Sequence, residues 1–259
     1  MPSYRDWITK IDIDVDYYSA FIKAWIAFNS WYSSEYPRET DRAVIEKIKG
    51  ETNRFKTYIT NFLQGTDTES SQFQNSIGNL HVALAGASIV TQERGGVQTQ
   101  ISFSNIALKN PTSIINVNYR KSHYRIERTG QKIKTTITNR DTGSPVFFCE
   151  QEVYNLDELE LISDFIRNLT SEQKSQCRAN YKLMCPYITE SVLHSGTAAK
   201  IYGGVEFVPD VDKIGRGIIE VLYLLGCSLM HGELYPDVNA SEVYKYAYFV
   251  LAATLKKLL

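Results

Sequence analysis

His231 is the residue whose chemistry stands out first, because an imidazole can gain or lose a proton near neutral pH. It follows a long apolar run, residues 217–230, and precedes Gly232. At this point a histidine could act as a general base, or it could simply interact with the last carbonyls of a helix. Ser228, three residues earlier, lies on nearly the same helix face and is a candidate for a supporting contact.

Asn29 is a polar residue within an apolar helical stretch. Residues 17–36 are predicted to form an amphipathic helix that ends at Pro37. Its apolar residues recur at helical spacing: Phe21, Ala24, Trp25, Phe28 and Tyr32. An amide on a mostly buried face costs stability unless it is hydrogen-bonded. We therefore expect Asn29 either to bond the backbone or Ser228, or to take part in a functional site.

Three segments together resemble the HEPN superfamily, in particular its Apea-like branch. They are LLGCSLMHGELYP at 224–236, AWIAFNSWY at 24–32 and SEVYKYAY at 241–248. The family signature is an arginine followed, after four to six residues, by a histidine, often as Arg-x-x-Leu-x-His-Gly. Here His231 and Gly232 match the end of that signature. In the resembled family a polar residue of the first helix often faces the histidine, which would make Asn29 an orienting or substrate-contacting residue.

The signature arginine is missing from this chain. Its window covers Leu224, Leu225 and Gly226, none of which is basic, and the flanking residues place the missing arginine at Gly226. Arg216 is fifteen residues before His231 and cannot take its place. Active HEPN relatives are metal-independent ribonucleases, whose chemistry needs a base near the 2′-hydroxyl and a cation at the phosphate. Loss of such a cation typically costs on the order of 100- to 1000-fold in rate.

Gly226 leaves three hypotheses open. The protein is a non-catalytic relative that still binds RNA or a nucleotide; or a cation from elsewhere, or from a partner subunit, replaces the arginine; or the change made a toxic protein tolerable to its host. A glycine inside a helix also costs about 1 kcal/mol relative to alanine, so helix propensity does not explain it.

The resemblance also implies partners and a setting. It implies a homodimer in which two copies of His231 face a shared cleft, and a role in a bacterial toxin or antiviral defence system, with RNA as ligand and an antitoxin or other protein as partner. The second hypothesis is a non-catalytic dimeric interaction protein that binds a protein partner. The resemblance implies no cofactor.

The expected fold class is α+β, mainly α: a HEPN-like antiparallel helical bundle split by a small antiparallel β insertion. Core helices are predicted at about 15–65 and 156–259, and the β-rich insertion at about 95–153, because alternating runs and turn residues replace helical spacing there. Strands are expected at 114–119, 124–128, 132–138 and 146–150. Two strong helices, at about 211–230 and 240–259, close the chain.

The β insertion is strongly basic. Residues 116–140 carry seven basic side chains and one acid, Glu127, against a net charge of −1 for the whole chain. The candidate RNA-binding residues are Arg120, Lys121, Arg125, Arg128, Lys132 and Lys134. Together with Tyr119 and Tyr124, such a sheet could follow a phosphate backbone and stack bases. The alternative is a solvated face that binds nothing.

Composition and motifs narrow the remaining classes. With 43% hydrophobic and 22% charged residues the chain is typical of a globular protein, and its near-neutral charge argues against a protein that coats nucleic acid. We expect a cytoplasmic protein without a membrane span, because no signal-like N-terminus is evident and the longest apolar run is too short. Cys227 and His231 lack a companion pair for a metal site, and no Walker, GxGxxG, HExxH or GxSxG motif occurs.

Overall fold

The computed structural model describes residues 16–92, 98–194 and 198–259. The N-terminal residues, the Gly95–Gly96 pair at which the β insertion was predicted to begin, and Gly196 lie outside this part of the chain. The described chain is α+β, and helices predominate.

The helices and strands are numbered in chain order. Four helices come first: α1 (Tyr17–Glu35), α2 (Asp41–Gly50), α3 (Arg54–Gln64) and α4 (Thr68–Ala87). The strands that follow are β1 (Val90–Gln92), β2 (Gln98–Gln100), β3 (Ile106–Lys109), β4 (Ile114–Tyr119), β5 (Ser122–Thr129), β6 (Lys132–Asn139) and β7 (Pro145–Gln151). Next come α5 (Leu156–Leu161), α6 (Ser163–Asn168), α7 (Ser171–Lys182), β8 (Tyr187–Glu190), β9 (Lys200–Tyr202) and β10 (Val205–Phe207). Two long helices, α8 (Val211–Met230) and α9 (Val238–Lys256), complete the chain.

The chain forms two compact units. The first contains the described residues of Met1–Ala107 and Thr189–Leu259, and the second contains Leu108–Ile188. The structure therefore differs from the expected organisation, in which residues 156–182 belonged to the helical core. The reason is that α5, α6 and α7 carry side chains such as Leu159, Phe165 and Tyr181 that share a core with the sheet.

The first unit is helical. Helix α9 packs against α1 and α4, while α8 packs against α2 and α3. The apolar stripes predicted for α1 and α8 are buried: Phe21, Phe28 and Ile218 are at most 1% exposed. Burying an aromatic or aliphatic side chain of this size contributes roughly 1.5–3 kcal/mol, so these stripes fix how the helices pack. Two antiparallel pairs, β1–β2 and β9–β10, accompany the helices.

Local sequence explains where these helices begin. The side chains of Asp16, Thr40 and Asn53 each accept a hydrogen bond from a backbone N–H in the first turn of α1, α2 and α3. Such caps satisfy donors that the helix itself leaves unpaired. Thr40 and the apolar spacing after it predict one second helix that runs to about Leu63. This prediction is wrong, because Asn53 starts a new helix.

The second unit is a four-stranded antiparallel sheet in the order β4-β5-β6-β7, with α5, α6 and α7 sharing its core. All four strands lie where the sequence predicted them, each within two residues at either end. The spacing of Thr170 and Gln173 in the sequence predicts a capping box, and the structure confirms it at the start of α7. The glycines and Pro209 within residues 187–209 predict an irregular connection, but this segment contains β8, β9 and β10.

Across the described ranges, no helix is both long enough and apolar enough to cross a membrane.

Candidate functional site

The first unit contains a cleft of about 400 Å³ formed by α1, the start of α2 and the C-terminal half of α8. It is lined by Trp25, Ile26, Asn29, Ser30, Asp41, Tyr223, Gly226, Cys227, Met230 and His231. The structure thus brings together three of the residues that the sequence singled out: Asn29, Gly226 and His231. Ser228, the fourth, does not line the cleft.

His231 stands at the C-terminal end of α8. Its backbone N–H donates to the Cys227 carbonyl at 2.9 Å, and Gly232 follows with a φ of 67°. Gly232 and Glu233 then donate to the carbonyls of Leu229 and Ser228, which is the pattern of a Schellman cap. A glycine directly after the apolar stripe predicts the end of the helix, and Gly232 confirms this prediction. The exposed imidazole of His231 is left at the mouth of the cleft, with no ion pair or side-chain hydrogen bond to another described residue.

Gly226 has no room for a side chain. A Cβ atom at this position would lie 2.7 Å from two atoms of the Trp25 indole ring and 2.9 Å from a third. The ring is 6% exposed, and it packs against the rings of Phe21, Phe28 and Tyr223, so it cannot move freely. This close approach of an aromatic ring explains a glycine that helix propensity disfavours.

Asn29 is held by its own helix. Its amide nitrogen donates to the Tyr32 hydroxyl at 2.7 Å, and its oxygen accepts from the Ser33 hydroxyl at 3.3 Å. Burial and the nearby Asp41 carboxylate raise the pKa of Tyr32, which keeps the phenol protonated. Asn29 thus lines the same cleft as His231, and its amide is hydrogen-bonded to the Tyr32 phenol, which neighbours Asp41.

Cys227 is a neutral thiol in the wall of the cleft. Burial raises the pKa of the Cys227 thiol, an effect that hydrogen bonding with Tyr223 and the charge of Arg42 only partly oppose. Burial likewise raises the pKa of Tyr223. Because a thiolate is the nucleophilic form of cysteine, Cys227 is not activated for attack at neutral pH.

The cleft contains a carboxylate and lacks a cationic side chain. Of the described residues that line it, none is lysine or arginine, and Asp41 is acidic. Arg42 comes close, since its guanidinium lies 5.4 Å from the centre of the Tyr223 ring. However, Arg42 forms ion pairs with Glu46 at 2.7 Å and with Glu220 at 2.6 Å.

These ion pairs belong to a buried cluster of four charges between α2 and α8. Lys49 completes it, with its ammonium 2.6 Å from Glu220 and 2.8 Å from Glu46. Glu220 is 1% exposed and Lys49 is 2% exposed. Two cations and two carboxylates balance one another here, so Arg42 is a structural partner and not a free substitute for the missing arginine.

Ser228 is fully buried on the inner side of α8. Its hydroxyl has no hydrogen-bond partner among the described residues, and Tyr244 of α9 donates instead to the Leu225 carbonyl at 2.8 Å. The residue therefore serves the packing of α8 on α9, and the structure gives no contact between Ser228 and Asn29.

The six basic candidates belong to the second unit, and most of them have partners there. Arg120 pairs with Glu172, Arg125 with Glu127 at 2.6 Å, and Lys132 with Glu152 at 2.8 Å.

The remaining three differ in their surroundings. Arg128 donates to the carbonyls of Asn110 and Thr112, at 2.7 and 2.8 Å, and so holds a loop. Lys134 lies 5.5 Å from the centre of the Phe148 ring, and Lys121 is exposed in the turn between β4 and β5.

The two tyrosines expected to stack bases face inward. Tyr124 is 1% exposed and Tyr119 packs against the core of the second unit. The aromatic side chain that this sheet exposes is instead Phe148, at 54%. The sheet therefore does not combine free cations with the two predicted stacking residues, which weakens the RNA-binding interpretation of the β insertion.

Sequence reasoning missed Asp41 and Tyr223 as cleft residues. Asp41 follows the N-cap Thr40, where an acid is common because it favours the positive end of the helix dipole. Tyr223 belongs to a long apolar helix. Neither residue type nor spacing distinguishes them, since only the packing of α2 and α8 beside α1 brings them to Asn29.

Within residues 16–92, 98–194 and 198–259, no three histidine, cysteine or acidic side chains are grouped as metal ligands. Comparisons of the chain with protein-family models, with curated proteins and with solved structures give no significant match. The functional argument therefore depends on the cleft itself.

Proposed function

We propose that this protein is a HEPN-like helical protein that binds RNA through the cleft at His231 without cutting it. One observation supports this proposal above all: His231 and Asn29 share a cleft with Gly226, and the Trp25 ring fills the place that an arginine side chain would need. The cleft therefore has a candidate general base, His231, but lacks the cation that cleavage of an RNA phosphodiester requires.

The electrostatics of the cleft support binding over cleavage. Asp41 would repel the charge that develops on a phosphorane, and Arg42 is neutralised by Glu46 and Glu220. The half-buried Tyr223 ring, together with the hydroxyl and amide groups of the lining, suits a nucleobase better than a phosphate. The first of the three hypotheses for Gly226, a non-catalytic relative, is the one that these contacts favour.

Alanine at His231 is expected to weaken RNA binding about five- to tenfold, since a lost hydrogen bond or stacking contact costs about 1–1.4 kcal/mol. Because no described cation lines the cleft, the loss should be similar at about 50 and 200 mM salt, whereas a phosphate contact would weaken with salt. Fluorescence anisotropy with a labelled single-stranded RNA measures both effects.

The matched control is His194→Ala, because His194 is also exposed in the first unit but does not line the cleft. Equal affinities for the two variants would contradict a role of the cleft in RNA binding.

The second candidate function is a dimeric interaction protein, and exposed apolar side chains favour it. Ile26 and Met230 line the cleft yet remain 57% and 49% exposed. Apolar side chains at the rim of a site are typical of a surface that a partner covers. We propose a second copy of this chain as that partner.

The double variant Ile26→Asp/Met230→Asp is expected to halve the molar mass in solution, because two buried carboxylates on each side would oppose association. Light scattering coupled to gel filtration measures this. Val82→Asp, at an apolar residue that is 60% exposed on α4, should leave the mass unchanged. A monomer before any substitution would exclude the dimer.

A further inference from the structure

The Asp41 carboxylate gives the cleft a chemical preference of its own. Asp41 stands in the first turn of α2, is exposed, and lines the cleft; burial and this nearby carboxylate raise the pKa of the Tyr32 phenol. A carboxylate has two oxygens with about four acceptor positions, so a single neighbouring hydroxyl leaves most of them open. No cation forms an ion pair with Asp41 among the described residues, and its neighbour Arg42 is bound to Glu46 and Glu220.

An open carboxylate in an uncharged cleft selects a ligand with N–H donors. Two parallel donors are bound best, because a carboxylate can accept them together with both oxygens. Among the four RNA bases only guanine presents two adjacent donors, its N1–H and its 2-amino group. Adenine and cytosine place a ring acceptor beside their amino group, and uracil flanks its N–H with two carbonyls, so each would set an acceptor against the carboxylate.

The other residues that line the cleft, and its volume, are compatible with a bound nucleobase. The half-buried Tyr223 ring offers apolar surface to a base, and the exposed His231 can contact a sugar or a second base. A volume of about 400 Å³ is within the range of small-molecule sites and exceeds what a single guanidinium group would fill.

We propose that this cleft binds a guanine base through the Asp41 carboxylate. The proposal rests on the proposed RNA-binding function, for which it names the recognised base. Asp41 is then a specificity-determining residue of the cleft.

Nucleoside titrations of the whole protein test this recognition. Guanosine should bind at least tenfold more tightly than inosine, which lacks the 2-amino group, and than adenosine, because an unpaired carboxylate oxygen is costly. In Asp41→Asn the preference should change to xanthosine, since the new amide can donate to its 2-carbonyl. We expect Asp41→Asn to lose about tenfold in guanosine affinity. Isothermal titration calorimetry measures each constant.

The matched control is Asp164→Asn, which removes an exposed acid from the first turn of another helix, α6. It should bind guanosine as the unaltered protein does. A thermal melt of each variant shows whether it folds, and the comparison of guanosine with inosine needs no substitution at all.

Each outcome separates the two proposals. Equal binding of guanosine, inosine and adenosine would overturn guanine recognition, as would tighter binding of N-acetylarginine amide, which would indicate a protein partner's arginine. If a labelled RNA binds in a His231-dependent way while no nucleoside does, the RNA-binding function stands and the guanine site fails. If guanosine binds and RNA does not, the guanine site stands and the RNA-binding function fails.

Discussion

Replacing Glu220 with alanine is expected to lower the free energy of unfolding by about 3–5 kcal/mol. The carboxylate is 1% exposed and pairs with Arg42 and Lys49, each at 2.6 Å. Its loss would leave Lys49, which is also buried, with Glu46 as its remaining carboxylate partner among the described residues. Urea unfolding followed by circular dichroism measures the change.

Two further variants show whether charge is the cause. Glu150→Ala removes an exposed glutamate and should change the free energy of unfolding by less than about 0.5 kcal/mol. The pair Glu220→Leu/Lys49→Met should recover more than half of the loss, because buried ion pairs can be replaced by apolar residues when both partners are removed. A loss below about 1 kcal/mol for Glu220→Ala would contradict a buried four-charge cluster.

Arginine at Gly226 is expected to destabilise the protein by about 3 kcal/mol, although it restores the residue of the family signature. Its Cβ atom would meet the Trp25 ring at 2.7 Å, and that ring is enclosed by other aromatic rings. The matched control is Gly86→Arg in α4, where a Cβ atom meets nothing within 4 Å. This control should be neutral or stabilising by up to about 1 kcal/mol, since arginine favours helices over glycine.

A double-mutant cycle with Trp25→Ala separates steric conflict from other causes. Trp25→Ala alone should cost about 3–5 kcal/mol as a large-to-small core change. If the ring is what opposes arginine, the double variant should be about 1–3 kcal/mol more stable than the two separate losses predict. Strict additivity would show that the Trp25 ring is not the obstacle.

Much of the fold could be predicted because it is encoded locally. The bounds of α8 follow from an unbroken apolar stripe and from Gly232, and the strands β4 to β7 follow from turn residues between alternating runs. Prediction failed where a local signal was weaker than its competitor. Asn239, with Glu242 three residues later, predicts the start of α9, but the side chain that caps this helix belongs to Asp237.

The division into two units could not be predicted from local patterns. Helices α5 to α7 have the same helical spacing whether they pack on the bundle or on the sheet. Only contacts between distant parts of the chain decide which core receives Phe165 and Tyr181.

The site divides in the same way. His231, Gly226 and Asn29 were found from residue type and from a resemblance, and they do share a cleft. The other lining residues, such as Asp41 and Tyr223, reach the cleft because α1, α2 and α8 meet there. No pattern in the sequence predicts that meeting. The contact between Trp25 and Gly226 is the clearest case, because each residue alone looks ordinary in its helix.

The most direct test of the central claim is a combined binding and cleavage measurement on the unaltered protein. A 5′-labelled single-stranded RNA is incubated with excess protein at low salt, its binding is read by anisotropy, and the same sample is then resolved on a denaturing gel. We predict binding that His231→Ala weakens, together with full recovery of intact RNA. RNA that is cut by the protein, and is not cut by His231→Ala, would contradict the claim that this cleft binds without catalysis, and so would the absence of any binding.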